Sequence, residues 1–149
     1  MISILLATYN WPQALKLCLE SLATQTDPDF EIIIADDGST HSTTQLIDSY
    51  KNTLPITHLW QEDEGFRKTK ILNQAIATAQ GDYLIFLDGD CIVQPDFVER
   101  HRQLAQKGYL VTGSRVLLNQ KLTQDLLSDR KSTRLNSSHI PLSRMPSSA

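Results

Sequence analysis

The triplet Asp88-Gly89-Asp90 follows directly on the apolar run Tyr83-Leu84-Ile85-Phe86-Leu87. In extended backbone, residues i and i+2 point to the same side, so both carboxylates can reach one point. Gly89 between them lets backbone and ligand approach closely. Two hard oxygen donors on one side, with coordination positions left over, suit Mg²⁺ or Mn²⁺ carrying a diphosphate. Without a cation, two adjacent carboxylates repel and one pKa rises. The same triplet is also an ordinary acidic turn after a strand, and its place behind so apolar a run is what favours chemistry. Asp36-Asp37-Gly38-Ser39 carries the same double reading. An aspartate in a turn bonds its own backbone, and Gly38 supplies a positive φ, so one of the two aspartates is expected to be structural. An ionised Asp37 is acceptor-only and suits the imide N–H of a uracil ring.

A third cluster is basic. Arg67, Lys68 and Lys70 open a helix directly after Glu62-Asp63-Glu64-Gly65-Phe66. Cations at a helix start oppose the macrodipole, so they need another partner. The preceding acids are one; a diphosphate held at the strand ends is the other. Arg67, with its fixed fork, suits phosphate or a base edge better than a lysine does. Other reactive side chains carry less. Cys18 falls on an apolar helix face, and Cys91 has no nearby histidine to activate it. His41, His58 and His101 lack ligand spacing, and Trp11 and Trp60 fit a pocket wall or a sheet cover equally. There is no G-x-G-x-x-G, Walker loop or G-x-S-x-G elbow.

The elements that must position these groups can be read from the apolar pattern. Ile2 to Thr8, Phe30 to Ala35, Pro55 to Trp60 and Tyr83 to Leu87 read as strands, the first two as buried on both faces. Tyr109 to Thr112 reads as a fifth. Leu15, Cys18, Leu19 and Leu22 recur at helical spacing, behind an Asn10 cap and a Pro12 in the first turn. Ser39 or Thr40 caps a helix through Leu46, Ile47 and Tyr50. Ile71, Leu72, Ala75, Ile76 and Ala79 share a third helix, ended by Gly81 in the left-handed position. Pro95 starts a helix with Phe97, Val98 and Leu104. Alternating strands and helices predict an α/β fold: a mainly parallel sheet with helices on both faces. Ligands in such folds gather beyond the carboxyl ends of the strands, where Tyr9-Asn10, Asp36-Asp37 and Asp88-Gly89-Asp90 all fall.

The 149 residues, 40% apolar and 21% charged, suit one domain and argue against disorder, a membrane bundle or a disulfide scaffold. Two cysteines make a reducing compartment the default, and the short apolar start lacks the basic leader of a signal peptide. The net charge of -3 hides a division near Ser128. Of 17 acids and 14 bases, residues 129–149 hold one and four, which leaves 16 and 10, or -6, on residues 1–128. No basic stripe supports a nucleic-acid partner. The last 21 residues contain six serines, no aromatic residue and no apolar period, which predicts disorder. Asp129 to His139, D-R-K-S-T-R-L-N-S-S-H, resembles a translated sequencing-library adapter, so residues 129–149 are read as a non-native tail. The alternative is a natural basic tail that touches anionic lipid.

Together A-T-Y-N (Ala7 to Asn10), A-D-D-G-S (Ala35 to Ser39), E-D-E-G-F-R with the later N-Q-A (Glu62 to Arg67, Asn73 to Ala75) and G-D-Y-L-I-F-L-D-G-D (Gly81 to Asp90) resemble the family 2 glycosyltransferases. The resemblance covers nearly all of residues 1–128. It implies a Rossmann-like GT-A fold and transfer of a sugar from a UDP-sugar to an acceptor hydroxyl with inversion. It implies that Ala7, Thr8 and Tyr9 line the nucleotide, the Ala7 backbone and the Tyr9 ring holding the uracil, and that Asp37 accepts from its N3–H. Arg67 would lie beside the base or diphosphate. Asp88 would bond the ribose or share the metal, with Asp90 the principal ligand of Mn²⁺ or Mg²⁺. The G-F-R-K-T-K-I-L-N variant is similar to bacterial members that build surface glycans, which implies a glycan or lipid-linked acceptor and a cytoplasmic site of action, with membrane association left open. The general base of such enzymes lies on a later segment. None is assigned within residues 1–128, which are therefore read as an incomplete donor-binding domain, inactive alone. Two rivals remain: a haloacid dehalogenase-like phosphatase, with Asp88 as nucleophile and Asp90 as acid, and a non-catalytic nucleotide-binding module on the same fold.

Overall fold

The computed structural model of the protein describes residues 1–128; the expectations for the adapter-like tail lie outside them. The described residues fall into two units, Met1–Leu117 and a second that begins at Leu118.

The first unit is built on four strands, β1 (Ile2–Thr8), β2 (Phe30–Asp36), β3 (Ile56–Trp60) and β4 (Tyr83–Asp88). They form one sheet in the order β3-β2-β1-β4, and all three pairings are parallel. Every residue of β1 is buried, as a continuous apolar run requires when both faces are covered. Successive side chains go to opposite faces. Ile2, Ile4 and Leu6 of β1 join Ile32 and Ile34 of β2 on one face. There they meet Leu15, Cys18, Leu19 and Leu22 of α1 (Pro12–Leu22), Ile47 of α2 (His41–Tyr50) and Val98 of α4 (Phe97–Leu104). Leu5, Ile33 and Ala35 face the other way, onto Ile71 and Ala75 of α3 (Lys68–Thr78). Helices on both faces are thus what the apolar spacing predicts. Each fully buried Leu or Ile contributes about 1.5–3 kcal/mol relative to exposure.

Several expectations are corrected. Tyr109 to Thr112 is not a strand; Tyr109 and Leu110 are 70% and 88% exposed, with no neighbouring strand to pair with. β propensity forms a strand only where a partner takes up the backbone groups. Gly81 does not end α3 in a left-handed conformation: the positive-φ glycines are Gly38, Gly65 and Gly108, and the C-cap of α3 is Ala79. A Cβ at Gly81 would lie 2.6 Å from Ser3 Oγ and 2.7 Å from Met1 O, so the residue is small because the chain enters β4 pressed against β1. Asn10 does not cap α1, whose N-cap is Trp11. Its φ of 46° turns it toward α2 instead. There Asn10 Oδ1 accepts from Thr40 N–H at 2.8 Å and its own N–H donates to Ser39 Oγ at 2.9 Å. Thr40 occupies the N-cap of α2 without a side-chain bond of its own, Asn10 doing that work across the loop. Pro95 precedes α4, and its carbonyl accepts from Thr26 N–H at 2.8 Å.

In the second unit the described residues form one helix, α5 (Gln120–Ser128), none of them buried. Asn119 Oδ1 accepts from Leu122 N–H at 2.8 Å and opens it. No helix among the described residues is long and apolar enough to cross a membrane.

Candidate functional site

Because β1 lies between β2 and β4, the sheet order reverses at the β1–β4 junction, where crevices beyond the strand ends form. The register brings three ends level: Ala7 pairs with Ala35 on one side and Asp88 on the other, and Thr8 pairs with Asp36. A cleft of about 330 Å³ opens there. Ala7, Thr8, Tyr9 and Trp11 line it from the end of β1, Asp37 from β2, and Asp88, Gly89 and Asp90 from β4. Asp63, Gly65, Phe66 and Lys68 close it from the segment between β3 and α3. The structure therefore brings together all the sequence-predicted site residues except Arg67, whose side chain is directed elsewhere.

Asp36, the last residue of β2, and Asp37 just after it differ in their access to the cleft. Asp36 is fully buried. Its Oδ1 accepts from Ser39 N–H at 2.8 Å, and its Oδ2 lies 3.0 Å from His58 Nε2. It is the structural one. Asp37 borders the cleft while tying down its far wall. Its Oδ1 accepts from Gln61 Nε2 at 2.5 Å and its Oδ2 from Arg67 N–H at 2.8 Å. A carboxylate offers about four lone-pair positions, so Asp37 retains acceptor capacity toward the cleft.

Arg67 serves this wall through its backbone. Its guanidinium donates to Glu62 O at 2.7 Å and pairs with Glu64, the local acids the sequence offers as partners. The cation that lines the cleft is the next residue, Lys68, whose ammonium pairs with Asp88 Oδ1. Arg115 Nη1 lies 3.6 Å from the other oxygen of Asp88. Among the described residues Asp90 has no such pairing; Cys91 Sγ lies 3.7 Å from its Oδ1. Burial, with Asp90 and Asp88 nearby, raises the Cys91 thiol pKa. Gly89 makes the β4 exit possible. Its N–H donates to Ala7 O at 2.7 Å, and a Cβ there would sit 2.9 Å from that oxygen.

The loop wall is held at three further points. Tyr9 Oη donates to Asp63 Oδ2 at 2.8 Å, and that bond raises the phenol pKa. Gly38, at φ 96°, has the Asp63 backbone within 2.7 Å of where a Cβ would be. Trp60 Nε1 donates to Ser39 O at 3.0 Å. Sequence reasoning missed Phe66, which lines the cleft while 89% exposed. The available signal was an aromatic ring directly after a glycine in an otherwise acidic loop. It also missed the anchor Gln61, an uncharged side chain that nothing in the sequence distinguishes from a surface residue.

Among the described residues no group of three or more Asp, Glu, His or Cys converges as a metal cage. Asp88 and Asp90 still fit a hard divalent cation of the kind that binds through one or two carboxylates and completes its shell with phosphate oxygens and water. They share one cleft, and among the described residues Asp90 makes no ion pair.

Comparison with known proteins bears on this geometry. The sequence profile described as glycosyl transferase family 2 matches residues 3–147. The validoxylamine A glucosyltransferase of Streptomyces hygroscopicus subsp. jinggangensis is 36% identical over 101 residues, 66% of this chain and 24% of that protein. The crystal structure of S. aureus TarS 1-349 in complex with UDP-GlcNAc superposes with a TM-score of 0.65 at 29% identity, over 68% of this chain and 30% of that one. The mannosyltransferase PcManGT from Pyrobaculum calidifontis, solved with GDP-Man and Mn²⁺, shares the fold at a TM-score of 0.63 and 23% identity, over 71% of this chain and 32% of that one. The chain spans about a quarter of the length of the first curated relatives it matches. The α/β sheet is that of the GT-A fold, as expected.

Proposed function

From a chain that belongs to glycosyl transferase family 2, we infer a donor-binding site: the β1–β4 cleft takes a UDP-sugar, and Asp88 and Asp90 hold a divalent cation at its diphosphate. The observation that carries this reading is the placement of Asp88-Gly89-Asp90, at the sheet's switch point and level with Ala7 to Tyr9 and Asp37. The UDP-GlcNAc complex of the TarS relative supports a uridine donor, and the Mn²⁺ of the PcManGT complex accords with a metal at this fold. The Tyr9 ring, half-exposed on the cleft wall and steadied by Asp63, offers a face for the base. The spare lone pairs of Asp37 accept from its imide. A bound cation supplies Lewis-acid stabilisation of the departing nucleoside diphosphate. The residues orient the donor and compensate its charge.

The reaction that follows is transfer to an acceptor hydroxyl with inversion, on a glycan or lipid-linked acceptor in bacterial surface glycan synthesis in the cytoplasm. The acceptor proton needs a general base, and the proposal assigns none to residues 1–128. Calorimetry of the chain with UDP, with and without Mn²⁺, tests it. The expected result is metal-linked binding that Asp90→Asn abolishes. Binding indifferent to the metal would favour a bare nucleotide module, and metal-dependent release of phosphate from small phosphoesters a phosphatase.

A further inference from the structure

We propose that Lys68 is a resident cation of the donor site: it neutralises Asp88 while the cleft is empty and transfers its ammonium to the donor diphosphate when a divalent cation takes Asp88. The proposal rests on the donor-binding reading above and adds a residue and an exchange to it.

The asymmetry of the two carboxylates carries the argument. Asp88 and Asp90 stand two residues apart on one cleft wall, yet their surroundings differ. Asp88 Oδ1 holds the Lys68 ammonium, and Arg115 Nη1 stands 3.6 Å from Oδ2. Among the described residues no cation pairs with Asp90, whose side chain meets Cys91 Sγ. A divalent ion bound at both carboxylates would stand beside the Lys68 ammonium at Asp88 Oδ1, and the two positive charges repel.

Lys68 is built to give way. Its own side chain is 35% exposed and that of Asp88 42%, so the pair is held by a contact that water can replace, not by burial. Lys68 is the first residue of α3, behind the Arg67 N-cap. Its backbone is thus fixed by the Arg67 N–H bond to Asp37, whereas four rotatable side-chain bonds remain free. The ammonium is a point charge that recognises phosphate from many directions, unlike the planar fork of arginine. Its neighbour Arg67 is already committed to Glu62 and Glu64. Among the described residues that line the cleft Lys68 is therefore the one cation. A cation at a helix start, unfavourable toward the macrodipole, is compensated by Asp88 in the empty site and by phosphate in the filled one.

The exchange predicts two effects of opposite sign from one substitution. Lys68→Met keeps the stem and helix propensity but removes the charge. Mn²⁺ titrated alone into the 149-residue chain should bind roughly fivefold tighter to this variant, because the nearer of the two cations at Asp88 is gone and only Arg115, 3.6 Å from Oδ2, remains. UDP titrated in saturating Mn²⁺ should bind tenfold or more weakly, because a charge-assisted bond to phosphate is lost. Lys68→Arg should retain most of the UDP affinity, and circular dichroism with thermal melting checks that both variants are folded. Opposite changes for Mn²⁺ and UDP establish the exchange. Parallel weakening of both, or no change in either, overturns it while leaving the donor-binding reading in place. Absence of metal-linked UDP binding in the unsubstituted chain overturns the donor-binding reading and this inference with it.

Discussion

Asp37→Asn isolates the bond that fixes one wall of the cleft. Asp37 is 6% exposed, and each of its oxygens takes a donor: Gln61 Nε2 at 2.5 Å and Arg67 N–H at 2.8 Å. Asparagine keeps one acceptor and replaces the other by an NH₂ group. If its oxygen stays on Arg67 N–H, its NH₂ meets the NH₂ of Gln61. Gln61 Oε1 is buried without a partner and would answer if the Gln61 amide rotated. That rotation, however, sets an oxygen against Arg67 O, now 3.2 Å from Gln61 Nε2. Either arrangement leaves one buried polar group unpaired, a loss of about 1–3 kcal/mol. Asp37→Ala leaves both donors unpaired and should lose roughly twice as much. At about 4 °C per kcal/mol for a chain of this size, the asparagine variant should melt about 4–12 °C below the unsubstituted protein. Urea unfolding followed by circular dichroism gives the stability. Amide hydrogen exchange gives the location, with faster exchange expected at Arg67, whose N–H is the released donor. An unchanged urea midpoint with unchanged exchange at Arg67 would refute the anchor role and leave Asp37 with ligand binding alone.

Two further outcomes follow from the fold. Gly81→Ala places a Cβ 2.6–2.8 Å from Ser3 Oγ, Met1 O and Ser3 N, two of them backbone atoms. The entry to β4 must shift, at about 1–3 kcal/mol, and a lowered urea midpoint with unaltered m-value would show it. His101 packs against Phe97 with Nδ1 3.1 Å from Tyr83 Oη, and burial depresses its pKa below the ordinary 6.5. The unfolded chain then binds a proton near pH 6.5 that the folded chain refuses. This contribution is complete above pH 6.5 and lost as the pH falls from there through the folded pKa. Melting temperatures between pH 7.5 and 5 should decline more steeply for the unsubstituted protein than for His101→Gln; equal slopes would contradict the assignment.

The sheet was legible in the sequence because its signal is local. Four apolar runs at strand length, each followed by polar turn residues, are read without knowing what they pack against. The α1 stripe of Leu15, Cys18, Leu19 and Leu22 is equally self-contained, and all four are buried. Where the reading failed, the deciding contact was remote. Tyr109 to Thr112 has strand composition but no partner, and Gly81 is a matter of clearance against Ser3, 78 residues away. The side chain of Asn10 reaches the start of another helix, 30 residues on.

The candidate site divides in the same way. Residue type and spacing alone placed Asp88 and Asp90 together at one strand end, assigned one aspartate of Asp36-Asp37 a structural role, and put basic residues at the start of α3. Those are properties of neighbouring residues; the extended backbone expected through Gly89 is instead a turn, with Cys91 N–H donating to Asp88 O at 3.0 Å, and both carboxylates line the cleft from it. Only the tertiary structure decided which aspartate is structural and that Lys68, not Arg67, supplies the cation of the cleft. It also decided that Phe66 and Gln61 belong to the site, one on its wall and the other behind it. Each of those depends on which side chain the packing of β1, β2 and β4 brings within about 3 Å, the reach of a hydrogen bond. No local pattern along the chain encodes that distance.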